Sequence, residues 1–163
     1  MIVLERMARV CGALAAFFLC LIGVVVTAQI VARLFSMQIP ASDDFAGWFM
    51  AASIFLALPY AMLRGDHIRV TLLLQAIPER LHRPYELLAT SIGLVLAAWC
   101  TWETAHFVYE SFIYKEVAQG MVAVPLWIPQ LGMPIGLGLL TLMLLRRLLH
   151  AAQGQTLEAT EHG

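Results

Sequence analysis

The sequence predicts an all-α integral membrane protein with four transmembrane helices. It places both termini on the cytoplasmic side, with a short amphipathic helix on that side between helices two and three. Three observations lead there. Of 163 residues, 61% are apolar and 13% charged, and the mean hydropathy is +0.80; soluble domains are about 45–50% apolar and about 25% charged. Four runs approach or exceed the ~18 uncharged residues that mark a membrane span. The arginines are shared unequally between the two ends of those runs. A net charge of −1 supplies no basic field for nucleic acid, and none is expected as a partner.

Arg6 and Arg9 precede the first apolar run, Val10 to Ala32. That run exceeds the ~7–15 residues of a signal-peptide core, so it reads as a retained first helix over about 10–34. Gly12, Ala16, Cys20, Gly23 and Thr27 line one side of it, a spacing that lets a second helix approach closely, although small residues are common in membrane helices in any case. Pro40 and Ser42-Asp43-Asp44 lead into a second helix over 43–63. Ser42 or Asp43 is the expected N-cap, with Asp44 in the first turn, where the helix dipole favours negative charge. Pro59 should bend this helix or loosen its last turns, and Arg64-Gly65 end it.

Arg64 to Tyr85 is the long polar interruption. Asp66, His67, Arg69 and Gln75 alternate with Ile68, Val70, Leu72, Leu73, Leu74 and Ile77, too few apolar residues to span a bilayer. An interfacial amphipathic arm over 66–77 is expected, stopped by Pro78. Pro84 suits the first turn of a third helix over 84–116. At 1.5 Å per residue that helix is roughly 48 Å long against a hydrocarbon core of about 30 Å, so its last turns should project. It carries a second small-residue stripe, Ala89, Gly93, Ala97 and Thr101. Pro125, Pro129 and Pro134 punctuate the approach to a fourth helix over 126–149, with Gly132 and Gly136 in GxxxG spacing. Residues 1–152 thus read as a single membrane domain and 153–163 as a frayed polar tail.

Orientation follows from charge. With the N-terminus inside, the inner flanks hold Arg6, Arg9, Arg64, Arg69, Arg80, Arg83, Arg146 and Arg147, and the outer flanks only Arg33 and Lys115. Trp48, Trp99, Trp102 and Trp127 then fall towards the outer leaflet as an aromatic belt.

The central turns of all four runs contain no Asp, Glu, Lys, Arg or His. Solute pathways through membranes normally keep ionisable groups or broken helices near the midplane, so this chain reads as a supporting subunit. Cys11, Cys20 and Cys100 lie within apolar runs without CxxC or a paired His, and read as packing residues. The one site-like constellation is Glu103-x-x-His106 with Glu110. It has the spacing of di-iron carboxylate helices but lacks the second copy such a site needs. No metal, cofactor or catalytic residue is assigned. A redox-enzyme anchor holding haem or quinone near His106 and Glu103 is the alternative from another functional class.

Arg64-Gly65-Asp66-His67-Ile68-Arg69-Val70, followed by Leu74-Gln75-Ala76-Ile77-Pro78-Glu79-Arg80, resembles the signature after the second helix of the small membrane subunit of TRAP transporters, the DctQ-like family. Asp43-Asp44 resembles the acidic position ahead of that helix. Val124-Pro125-Leu126-Trp127-Ile128-Pro129-Gln130 with Pro134-Ile135-Gly136 resembles the approach to the family's last helix. The chain departs from the pattern at Asp66 and Thr71, so no ion pair within the arm is carried over. The resemblance implies a sodium-coupled, ATP-independent uptake system for organic acids in a bacterial or archaeal inner membrane. Its partners would be a large membrane subunit carrying the substrate and sodium sites, a periplasmic binding protein, and membrane lipids. The small subunit would be non-catalytic scaffold. On this view Arg64, His67, Arg69, Arg80 and Arg83 hold the arm at the inner interface. Asp43, Asp44, Pro78, Trp127, Pro129, Gln130, Pro134 and Gly136 are structural or partner-facing. Glu110, Lys115 and Glu116 are candidates for docking the binding protein.

Overall fold

The computed structural model describes residues 2–37, 39–64, 79–120 and 122–152. These form helices α1 (Ile2–Leu34), α2 (Ser42–Leu63), α3 (Glu79–Ile113), the four-residue α4 (Trp127–Gln130) and α5 (Gly132–Ala152). Four stretches within them are long and apolar enough to cross a membrane: Val3–Leu34, Ser42–Leu63, Leu87–Ile113 and Trp127–His150. The protein is an all-α multi-pass membrane protein.

The helices do not close into a bundle. α1 packs along α2, α2 along α5, and α5 along α3, so the spatial order is α1–α2–α5–α3. α1 runs antiparallel to α2 and α5 antiparallel to α3, while α2 and α5 run parallel, which gathers the start of α1, the end of α2, the start of α3 and the end of α5 at one boundary. In such a row the outward faces carry the large apolar side chains. Phe17, Leu19, Val24, Leu88, Val95 and Leu142 are all exposed, while the buried positions are mostly small: Ala8, Cys11, Ala15, Ala52 and Ala97. In lipid no hydrophobic force pushes large residues inward, so close backbone approach through small residues holds the helices together. Among the described residues a cluster of Cys11, Ala15, Leu56 and Leu139 links three helices, with Phe18 packed against it. Phe18 also stacks on Phe49 of α2, ring centroids 5.7 Å apart.

Three local features differ from expectation. Helix α1 begins at Ile2, because Glu5 and Arg9 sit one turn apart as an ion pair (3.6 Å) and continue the helix below the apolar run. The N-cap of α2 is Ala41, in left-handed backbone (φ 59°), so Ser42, Asp43 and Asp44 all fall in the first turn and none caps it. Ser42 instead donates back to the Ile39 carbonyl at 3.2 Å. Helix α3 begins at Glu79, before Pro84, and ends at Ile113.

Helix α2 runs through Pro59 to Leu63. Proline has no N–H, so the carbonyl of Phe55, four residues back, loses its helical donor. Gly136 of α5 lies directly on that carbonyl, where a Cβ would overlap it. One turn away, a Cβ on Gly132 would stand 3.2 Å from the Ala52 Cα. The GxxxG pair therefore seats α5 on α2 at the place where proline has freed a backbone acceptor, and a Cα–H to carbonyl contact can serve there.

Hydroxyls within the spans are satisfied locally. Thr27, Ser91 and Thr104 each donate to the carbonyl four residues back, at 2.7 Å. Half-way along α3 and α5, Thr101 Oγ1 and Thr141 Oγ1 meet at 3.0 Å, a hydrogen bond between neighbouring helices.

Candidate functional site

Three regions carry the residues singled out by sequence. At the boundary where α3 ends and α2 begins, the chain leaving α3 is a shaped loop. Lys115 takes left-handed backbone (φ 52°), the Glu116 N–H reaches the Ser111 carbonyl at 3.0 Å, and Lys115 N–H reaches Phe112 at 3.4 Å. This pair of bonds is a Schellman ending. Ser111, fully buried, donates its hydroxyl to Glu116 Oε2 at 2.9 Å. A β-bridge between Val117 and Pro125, with Ala118 N–H to Val124 O at 2.9 Å, folds the loop back on itself. A Cβ on Gly120 would overlap the Asp44 carboxylate, so the first turn of α2 lies under this loop. Asp43 accepts a hydrogen bond from Gln29 Nε2 at 3.1 Å, tying the end of α1 to the start of α2. The two acids thus sit in different contacts.

All three docking candidates are exposed, and Glu116 is in addition bonded to Ser111 within the loop. Glu103 and His106 do not converge. Glu103 Oε1 accepts from Trp99 Nε1 at 3.1 Å, and His106 Nδ1 lies 3.6 Å from Glu110 Oε1. Among the described residues no group of three or more His, Cys, Asp or Glu could hold a metal.

The approach to the last helix forms a second region. Trp127 packs edge-on against Phe112, centroids 5.7 Å apart. Pro134 cannot donate to the Gln130 carbonyl, which is where α4 stops and Leu131 separates it from α5. Gln130 is buried, its Oε1 without a hydrogen-bond partner among the described residues. Pro129, Pro134 and Gly136 together aim α5 onto α2.

At the opposite boundary, Arg64 donates from Nε to the Tyr60 hydroxyl at 2.9 Å, and its guanidinium lies 5.3 Å from the Tyr60 ring centroid. Arg80 and Arg83 fall in the first turns of α3. His67, Arg69 and Pro78, with the rest of the 66–77 arm and the 153–163 tail, lie outside the described residues.

Four spanning helices in an open row define a multi-pass helical membrane protein. The family described as tripartite ATP-independent periplasmic transporters, DctQ component, matches residues 22–154, and the chain belongs to that family. It is also similar to the isethionate TRAP transporter permease protein DctMQ of Oleidesulfovibrio alaskensis, 26% identical over 151 residues. That match takes in 88% of this chain and 23% of the relative, so the chain spans about a quarter of that protein's length.

Proposed function

We propose that this chain, with residues 1–152 as its single membrane domain, is the stationary scaffold of a sodium-coupled tripartite transporter for organic acids in a bacterial or archaeal inner membrane. The carrying observation is the open row. Both of its broad faces are largely apolar and unclosed, and half-way along α3 and α5 the facing hydroxyls bond to backbone or to each other. Such a row gives a large membrane subunit a wide surface to pack on. It offers a charged solute no route of its own. A relative whose name joins the M and Q components of one permease supports a large membrane subunit as partner, and isethionate, an organic sulfonate, supports the solute class.

In this reading the periplasmic binding protein docks on the outer end of α3 and the loop after it, with Glu110 and Lys115 presented and Glu116 shaping the loop. The arm, with His67, Arg69, Arg80 and Arg83, holds the inner interface. Co-purification in mild detergent tests the assignment. A large permease subunit should accompany the chain, and sodium-driven uptake in proteoliposomes should require both. Uptake by this chain alone would overturn it.

A further inference from the structure

Between the start of α1 and the end of α2 lies a groove of about 690 Å³. Its polar mouth holds Arg9 and Arg64, and its apolar flank is built from Ala13, Ala16 and Leu63. It exists because α1 meets α2 at Gly12, where a Cβ would stand 2.6 Å from the Tyr60 ring, so no side chain fills the space beside the contact. Tyr60 also shapes the mouth. Its ring carries the Arg64 guanidinium and its hydroxyl takes the Arg64 Nε–H, which leaves the terminal nitrogens of that guanidinium to point elsewhere. Arg9 is 66% exposed at its side chain and is offset in part by Glu5, 3.6 Å away. Two guanidiniums and one carboxylate leave the mouth with one net positive charge.

We infer that this groove binds an acidic phospholipid, its phosphate between Arg9 and Arg64 and the first part of an acyl chain along Ala13 and Ala16. Guanidinium groups favour phosphate oxygens because they offer paired, charge-assisted donors. Ala16 stands seven residues beyond Arg9, about 10 Å deeper along the helix. A ligand charged at Arg9 and apolar at Ala16 therefore matches both ends, whereas free phosphate would leave the deeper part to water. The site needs only that the helices span a membrane and is independent of the transporter assignment.

The test uses the full chain in nanodiscs of phosphatidylcholine with a minor fraction of phosphatidylglycerol, released into native mass spectrometry. Wild type should retain phosphatidylglycerol in excess of its share. Arg9→Gln and Arg64→Gln should each lower retention about fivefold. Arg146→Gln, at the same boundary but outside the groove, should leave it unchanged. Ala13→Trp, with both arginines kept, should expel the lipid by filling the furrow. Inorganic phosphate should not displace it. Retention in proportion to the mixture overturns the site and needs no variant to fold. Equal loss with Arg146→Gln, or displacement by inorganic phosphate, overturns it too.

Discussion

Ser36 and Lys115 end two helices in left-handed backbone without being glycine (φ 58° and 52°). At Ser36 the Met37 N–H closes on the Ala32 carbonyl at 3.0 Å, the same ending that Lys115 and Glu116 make on α3. A side chain in that conformation costs about 1–2 kcal/mol. Lys115→Gly should therefore raise stability by about 1 kcal/mol once glycine's greater unfolded freedom is set against it, read as a higher midpoint of thermal unfolding in detergent. Ser111→Ala should lower stability by about 1 kcal/mol, since it removes a hydrogen bond to a carboxylate that can rehydrate. Lys115 is also the one lysine in the chain. A membrane-impermeant amine reagent applied from the periplasmic side should label it and spare the terminal amine. The reverse pattern would turn the protein over in the membrane.

Among the elements, the α2–α5 seam is the tightest. Pro59 frees the Phe55 carbonyl and Gly136 covers it, so the two residues act together although they lie on different helices. Gly136→Ala should cost about 1–3 kcal/mol, the usual cost of overpacking, with loss of a monodisperse elution peak from the same detergent. Gly23→Ala, with no atom within 4 Å of the added Cβ, should change neither measurement. The contrast bears on what could be read beforehand. The Ala89–Gly93–Ala97–Thr101 stripe does face α5, with Ala97 buried and Thr101 bonded to Thr141. The Gly12-to-Thr27 stripe does not face α2 along its length. Only Gly12 meets α2, at Tyr60, while Cys11 and Ala15, one register over, make the buried contact. Small residues at one spacing look alike in a sequence, and which stripe is used depends on the neighbour's shape.

On the scale of the whole molecule, the row leaves α1 and α3 at its two edges. If the outer end of α3 meets the binding protein, Glu110→Lys should weaken that docking several-fold while assembly with the large subunit persists. Titration of the binding protein onto the reconstituted complex measures it. Loss of assembly with docking intact would move the docking surface elsewhere. The four spans were legible because hydropathy and length act on each segment separately. The docking candidates were only partly legible. Glu116 looks like Glu110 in sequence, yet it is bonded to Ser111, a contact that exists only once the loop has turned.

The residue order alone determines that this chain lives in a membrane, how many times it can cross, and the arginine imbalance that bears on its orientation, since each of these is a local balance of burial and charge. Packing decided that the helices stand in an open row ordered α1–α2–α5–α3. Packing also decided that proline and glycine from different helices meet, and that two arginines frame one groove. Those facts depend on which backbones approach within a few ångströms, a distance set by pairs of helices together and written in neither one.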